Sequence, residues 1–159
     1  MTIAELGRAL RAGTITSEQA TERCLANIEA RNRGLNAFIL VMADEALARA
    51  RRADRELADG RDLGPLHGVP ISIKDLMDVQ GTPTTAASRV RTPQPADADA
   101  RAIANLRAAG AVFVGKTNLH EYALGTTSGD SAFGPVRNPL DTSRSPGGSS
   151  GGSAVSVAA

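Results

Sequence analysis

Cysteine occurs once in this 159-residue chain, at Cys24, and lysine only twice, at Lys74 and Lys116, among eighteen basic residues that are otherwise arginine. A lone cysteine excludes an intramolecular disulfide and fits a reducing compartment, and the helical spacing of Ala20, Cys24 and Ile28 makes it a core thiol. No apolar run approaches the roughly 18 residues that a membrane span needs. The first residues, Met1-Thr2-Ile3-Ala4-Glu5-Leu6, hold neither the basic nor the long apolar region of a cleaved signal. The expectation is a soluble cytoplasmic protein with no membrane contact. A formal net charge of +1, with arginines interleaved by acids such as Asp54 and Glu56, leaves no continuous phosphate-binding stripe and implies no nucleic-acid partner. Tandem repeats are absent too, and the length suits one domain with a moderate core.

What is present alternates between helical and strand patterning. A capping-box start at Thr2 opens a short helix to Arg11, which Gly13 breaks, and Ser17 is expected to cap a second helix that Gly34 ends. Residues 37–41 form a short apolar strand. The alanine- and arginine-rich segment 43–58 follows as a helix with a buried stripe of Ala46, Leu47, Ala50, Ala53 and Leu57, stopped by Gly60. Val69, Ile71 and Ile73 alternate in a second strand that ends at Lys74, and Pro70 places its start there or puts it near an edge. After a loop punctuated by Pro83, Pro93 and Pro95, Asp97 is expected to cap a helix through Ala109, and after Gly110 a third strand runs from Ala111 to Gly115. From Gly125 to Gly152 the composition turns to glycine, serine, threonine, proline and asparagine, a long shaped loop of the functional kind or a disordered one.

Two features carry chemistry. The first is the run Ser145-Pro146-Gly147-Gly148-Ser149-Ser150-Gly151-Gly152-Ser153, which opens the apolar segment 154–159. A flexible linker is one reading of such a run, although Pro146 before it and an apolar helix directly after it argue for a fixed turn. A phosphate loop is excluded chemically, because Ser153 and Ala154 stand where the lysine and hydroxyl residue of that motif are required. What survives is a backbone bent around Ser149 and Ser150 at a helix N-terminus, where amide donors and the dipole favour developing negative charge. The second feature is Lys74. A lysine after an apolar strand is ordinarily a surface residue, yet in a chain that otherwise uses arginine it hints at a need for a group able to lose its proton.

These residues stand in segments that resemble the amidase signature family. Gly64-Pro65-Leu66-His67-Gly68-Val69-Pro70-Ile71-Ser72-Ile73-Lys74-Asp75 is similar to its lysine segment, and Ala108-Ala109-Gly110-Ala111-Val112-Phe113-Val114-Gly115-Lys116-Thr117-Asn118 to its next strand. Phe133-Gly134-Pro135-Val136-Arg137-Asn138-Pro139 then leads into the Gly-Ser run. The resemblance implies an α/β fold, the three-layer α/β/α amidase-signature architecture around a mixed central sheet, of which residues 1–159 form the N-terminal part of a single domain that stops before the nucleophilic serine. It implies that Lys74 is the catalytic lysine and Ser149 the bridging serine, held after a cis peptide, with Thr127 and Ser128 lining the acyl pocket.

The implied reaction is hydrolysis of a small carboxamide through an acyl-enzyme, with neutral Lys74 taking a proton from Ser149 and Ser149 in turn from the downstream nucleophile. Neither metal nor cofactor is called for, and a homodimer is compatible with the reading. His67 and His120 invite a Ser-His arrangement, but neither lies near a plausible acid in sequence and the lysine motif explains the base without them, so both are assigned structural roles; Lys116 is assigned a strand-end ion pair rather than the part of a second base. Two further functions stay open beside the free amidase. One is the A subunit of a tRNA-dependent glutamyl or aspartyl amidotransferase, a glutaminase, although that subunit usually has aspartate where His120 stands. The other is a truncated, catalytically inactive product.

Overall fold

The computed structural model describes residues 1–91 and 93–159. Helices α1 (Ile3–Arg11) and α2 (Ser17–Leu35) precede strand β1 (Phe38–Val41), and α3 (Ala43–Ala58) precedes β2 (Pro70–Lys74). Then come α4 (Arg101–Ala108), β3 (Val112–Thr117), a 3-10 turn at Glu121–Ala123, and α5 (Gly151–Ala158). The strands form one mixed sheet in the order β1-β3-β2, with β3 antiparallel to β1 and parallel to β2. Pro70, which has no N–H to give a ladder, is both the first residue of β2 and on an edge strand.

Helices cover both faces. On one, Val112 and Val114 of β3 meet Ala46 and Ala50 of α3, Val155 of α5, and the Cys24, Leu25 and Ile28 stripe of α2. On the other, Phe113 of β3 and Ile73 of β2 pack with Ile103 of α4, Met42 and Val79. Leu10, Ile15, Ala20 and Val69 seat α1 and the start of α2 at the entry to β2. Cys24 is half-buried against the first cluster, and burial raises its thiol pKa, as suits a packing residue.

Strand alternation alone would put Val112, Val114 and Lys116 on one face. The register instead shifts between Ile71 and Ser72, so that Phe113 pairs with Ile71 but Gly115 pairs with Ser72, Lys116 with Ile73 and Thr117 with Lys74. Directly paired residues share a face, so this bulge sends Lys116 to the α4 side and Thr117 to the α5 side. Gly115 at the shift admits no side chain, since a Cβ there would run into the Leu40 carbonyl of β1.

Three helix boundaries differ from the sequence expectation, each for a tertiary or capping reason. Thr16, not Ser17, caps α2: it accepts from the Gln19 amide while the Gln19 side chain returns to the Thr16 amide. Ser17 is the first helical residue, and its amide and that of Glu18 donate to Asp54 of α3 at 2.7 and 3.0 Å. The helix runs past Gly34 to end at Asn36, which adopts the left-handed conformation at φ 53°. Asp97 does not cap α4, which starts at Arg101; Ala96 bridges Gln80, and Asp99 is drawn to the Gln80 amide and Arg107, so the chain stays extended.

The α3 stripe holds at Ala46, Ala50 and Ala53, while Leu47 and Leu57 are half-exposed and Glu56 is buried in their place. Burial opposes the Glu56 charge, and Arg52 at 2.8 Å, Arg49 at 3.1 Å and His67 at 2.9 Å overcome it, holding its pKa at about 2. Because the folded pKa lies below the ordinary 4.5, this group stabilises the fold above that pH and ceases to do so as pH falls through 2. Glu56→Gln should therefore lower stability near neutrality by about 2 kcal/mol and flatten its decline in acid. Denaturant titrations at several pH values would measure both, and an unchanged acid decline would contradict the assignment.

Candidate active site

The site lies at the C-terminal end of the parallel pair β2 and β3, where α/β sheets present functional side chains. Within β2, Ser72 and Lys74 face α5 while Ile73 faces the α4 core. Helix α5 is docked there by two hydroxyl pairs one turn apart, Ser156 with Ser72 at 3.0 Å and Ser153 with Thr117 at 2.9 Å. Its first residues come too close to the sheet end for any side chain, since a Cβ at Gly152 would meet the carbonyls of Asn118 and Ala37. The docking therefore brings Ser149 and Ser150, just before α5, over the end of β2.

There the Lys74 Nζ lies 2.8 Å from Ser149 Oγ and 2.8 Å from Ser150 Oγ. Among the described residues no carboxylate bonds this amine, and its partial burial lowers its pKa below the ordinary lysine value. The peptide between Gly148 and Ser149 is cis. The Ser149 carbonyl accepts from the His120 amide at 3.0 Å and from Ser128 Oγ at 3.3 Å. Ser128 Oγ in turn accepts the Gly151 amide at 3.0 Å, and the Gly152 amide donates to the Asn118 carbonyl at 3.1 Å. These two amides at the start of α5 thus fix the loop.

Thr127 and Ser128, adjacent in sequence, part company in space. Thr127 is exposed, its carbonyl accepting from Ser145 Oγ at 2.6 Å. Ser128 is fully buried at φ 53°, with its hydroxyl engaged on both sides of Ser150. Neither histidine faces the Lys74 amine. His67 is fully buried, accepts the Leu63 amide at Nδ1 and donates from Nε2 to Glu56. His120 covers Gly125 and reaches the exposed Asp130 at 3.4 Å, touching the serine loop only through its backbone. Lys116 is fully buried, with Asp75 at 2.6 Å, the Pro83 carbonyl at 2.7 Å and Thr84 Oγ1 at 2.8 Å. It donates to the Pro83 carbonyl and Thr84 and sits against the Asp75 carboxylate, so it is an ion-pair partner with no lone pair to offer as a base.

A family model described as Amidase matches residues 19–159. The chain belongs to the amidase family. Among curated relatives, the A subunit of the glutamyl-tRNA(Gln) amidotransferase of Chloroflexus aurantiacus is 48% identical over 159 residues, which is all of this chain and 33% of that protein. The corresponding protein of Thermobifida fusca is 46% identical over 100% of this chain and 32% of its own. In structure, the native peptide amidase of Stenotrophomonas maltophilia superposes with a TM-score of 0.93 at 42% identity, covering 100% of this chain and 34% of that one. A 6-aminohexanoate cyclic dimer hydrolase superposes at 0.85 with 34% identity over 99% of this chain and 32% of that one. The chain thus spans about a third of the length of the curated relatives it matches. Among its described residues no helix is long and apolar enough to cross a membrane, and no group of three or more metal-ligating side chains occurs.

Sequence patterning alone misses the hub role of Ser128 and the second serine contact of Lys74. The signal for the first is a serine between Thr127 and Gly129 in a loop rich in glycine and polar residues. Ser128→Ala should orphan the Gly151 amide and lower the stability of the full-length protein by about 1–3 kcal/mol. Thermal unfolding beside the parent would read this, and an unchanged midpoint would remove Ser128 from its place as the loop's anchor.

Proposed function

We propose that this chain supplies the proton-relay half of an amide-hydrolysing active site, with Lys74 as general base and Ser149 as the bridging serine. The observation that carries the proposal is the 2.8 Å approach of Lys74 Nζ to Ser149 Oγ, by an amine that no carboxylate among the described residues holds in its charged form. As an ammonium, Lys74 donates to both serine hydroxyls. Once it loses a proton, its lone pair accepts the Ser149 proton, and burial favours that neutral state. Ser149 then takes the proton of an attacking serine hydroxyl supplied by a downstream segment of the full-length protein. The oxygen of that serine bonds to the amide carbon, the C–N bond breaks, and the relay runs back to protonate the leaving amine. Water completes the cycle by the same route, releasing carboxylate. The substrate is a small carboxamide, approached from the side of the exposed Thr127, with Ser128 shaping the pocket floor by holding the loop. The chemistry uses protons and hydroxyls held by these side chains, and calls on no cofactor.

A second reading is favoured by the 48% identity to the A subunit of an amidotransferase. In it the same relay releases ammonia from glutamine inside a complex, with partner subunits and tRNA. His120, where that subunit usually carries aspartate, favours the free amidase. Purification of the full-length protein from its native cells decides between them: a lone or homodimeric protein with turnover on simple carboxamides supports the amidase, whereas co-purifying subunits and tRNA support the amidotransferase.

Lys74→Ala in the full-length protein should reduce amide turnover by about 100-fold or more, and Lys74→Arg should be equally poor because a guanidinium stays protonated. Parental turnover in either variant would remove Lys74 from the role of base. Residues 1–159 expressed alone should show no turnover of acetamide or benzamide. Measurable turnover abolished by Ser149→Ala would mean that a downstream serine is dispensable.

A further inference from the structure

Both lysines of the chain lie at the same end of the sheet, on opposite faces, and among the described residues Lys116 meets a carboxylate whereas Lys74 does not. Lys116 pairs with Asp75, the residue that follows Lys74, at 2.6 Å, and the two are 0% and 1% exposed. Around the pair, Lys116 also donates to the Pro83 carbonyl and Thr84, and Asp75 accepts at Oδ2 from the amide and hydroxyl of Thr85, while Asp75 Oδ1 meets Lys116 as an ion pair without a hydrogen bond. The backbone around it is stitched as closely. The Asp75 amide donates to the Thr117 carbonyl and its carbonyl accepts from Ala86, while Ala86 and Ala87 stand at φ 53° and 56°. In short, a buried clamp joins the end of β2, the end of β3 and the 83–87 turn directly behind the Lys74 backbone.

A buried ion pair of this kind contributes little to stability by itself, since removing both charges from water offsets most of their attraction. Its arrangement suits another purpose. A carboxylate beside Lys74 would hold that amine protonated, and Lys116 meets the carboxylate on the face away from the site. An arginine in place of Lys116 would present a planar fork to acceptors that a compact ammonium satisfies from one point.

We infer that the Asp75–Lys116 pair is a positioning device for Lys74, which aims its amine at Ser149 and cancels the charge of the carboxylate next to it. This rests on the reading of Lys74 as base. The other charged groups around Lys74 are few. Helix α5 carries no charged side chain, α2 brings Arg31 to the groove beside Ser72, α4 lies behind the pair with Arg107 bound to Asp99, and the loop after β3 brings His120, Glu121 and Asp130.

The test is the pH profile of kcat/KM for amide hydrolysis by the full-length protein. Lys116→Met leaves the Asp75 carboxylate with its Thr85 donors and should move the acid limb upward. Asp75→Asn leaves the Lys116 ammonium with Pro83 and Thr84 and should move it downward. Each shift should be about 0.5–1 pH unit, as expected for one charge on the opposite face of the sheet. Should neither single variant fold, Asp75→Leu/Lys116→Met, which strands no buried charge, should fold and lose about 10–100-fold in kcat at nearly unchanged KM, because the aim of Lys74 is lost. Folded single variants whose acid limbs stay put or move in the same direction would overturn the inference, as would parental kcat in the double variant. Those results would leave Lys74 itself as base, provided that Lys74→Ala remains inactive. Turnover in Lys74→Ala would instead overturn the underlying reading.

Discussion

The amine proposed as a base must be kept out of reach of carboxylates and close to a hydroxyl, and the end of this sheet meets both conditions. Lys74 meets Ser149 and Ser150 at 2.8 Å, while the carboxylate next to it in sequence is turned to the opposite face and matched by Lys116. Two separate contributions make this arrangement. The β2–β3 register shift sends the two lysines to opposite faces, and the docking of α5 delivers the serines. If either were lost, the amine would face water or a carboxylate and remain protonated.

The serine loop is held mainly by short polar contacts. Ser128, Asn118 and the hydroxyl pairs Ser72–Ser156 and Thr117–Ser153 fix it, and Gly151 and Gly152 let the backbones close on one another. Hydrogen bonds impose direction and distance where apolar packing imposes only proximity, so a network of this kind suits a place where a few tenths of an ångström matter. Apolar packing does its work further back, where Val155 joins α5 to the valines of β3 and the alanines of α3.

Much of the fold was legible in the residues. The alternation of Val69, Ile71 and Ile73 ended at Lys74 as the strand does, Gly60 and Gly110 followed helix ends, and the segment 43–58 is helical throughout. The misplaced boundaries share a cause. Ser17 and Asp97 are good caps in isolation, but Asp54 supplies the Ser17 and Glu18 amides from another helix, and the bridge of Ala96 to Gln80 keeps the chain extended past Asp97. Glu56 was invisible as a buried group because its partners include His67, which lies beyond the helix.

The sequence by itself determined the element types, the serine-dense turn before an apolar helix, and the identity of a lysine able to reach it. Those follow from local periodicity, glycine conformational freedom and the chemistry of single side chains. Only the tertiary structure decided which face each lysine takes, that Ser128 is buried beneath the loop while Thr127 is exposed, and that Lys74 meets two hydroxyls rather than one. A one-residue register shift reverses every later side chain in a strand, and no pattern within β3 announces it; it arises from pairing with β2 and from the close approach of β1 to Gly115.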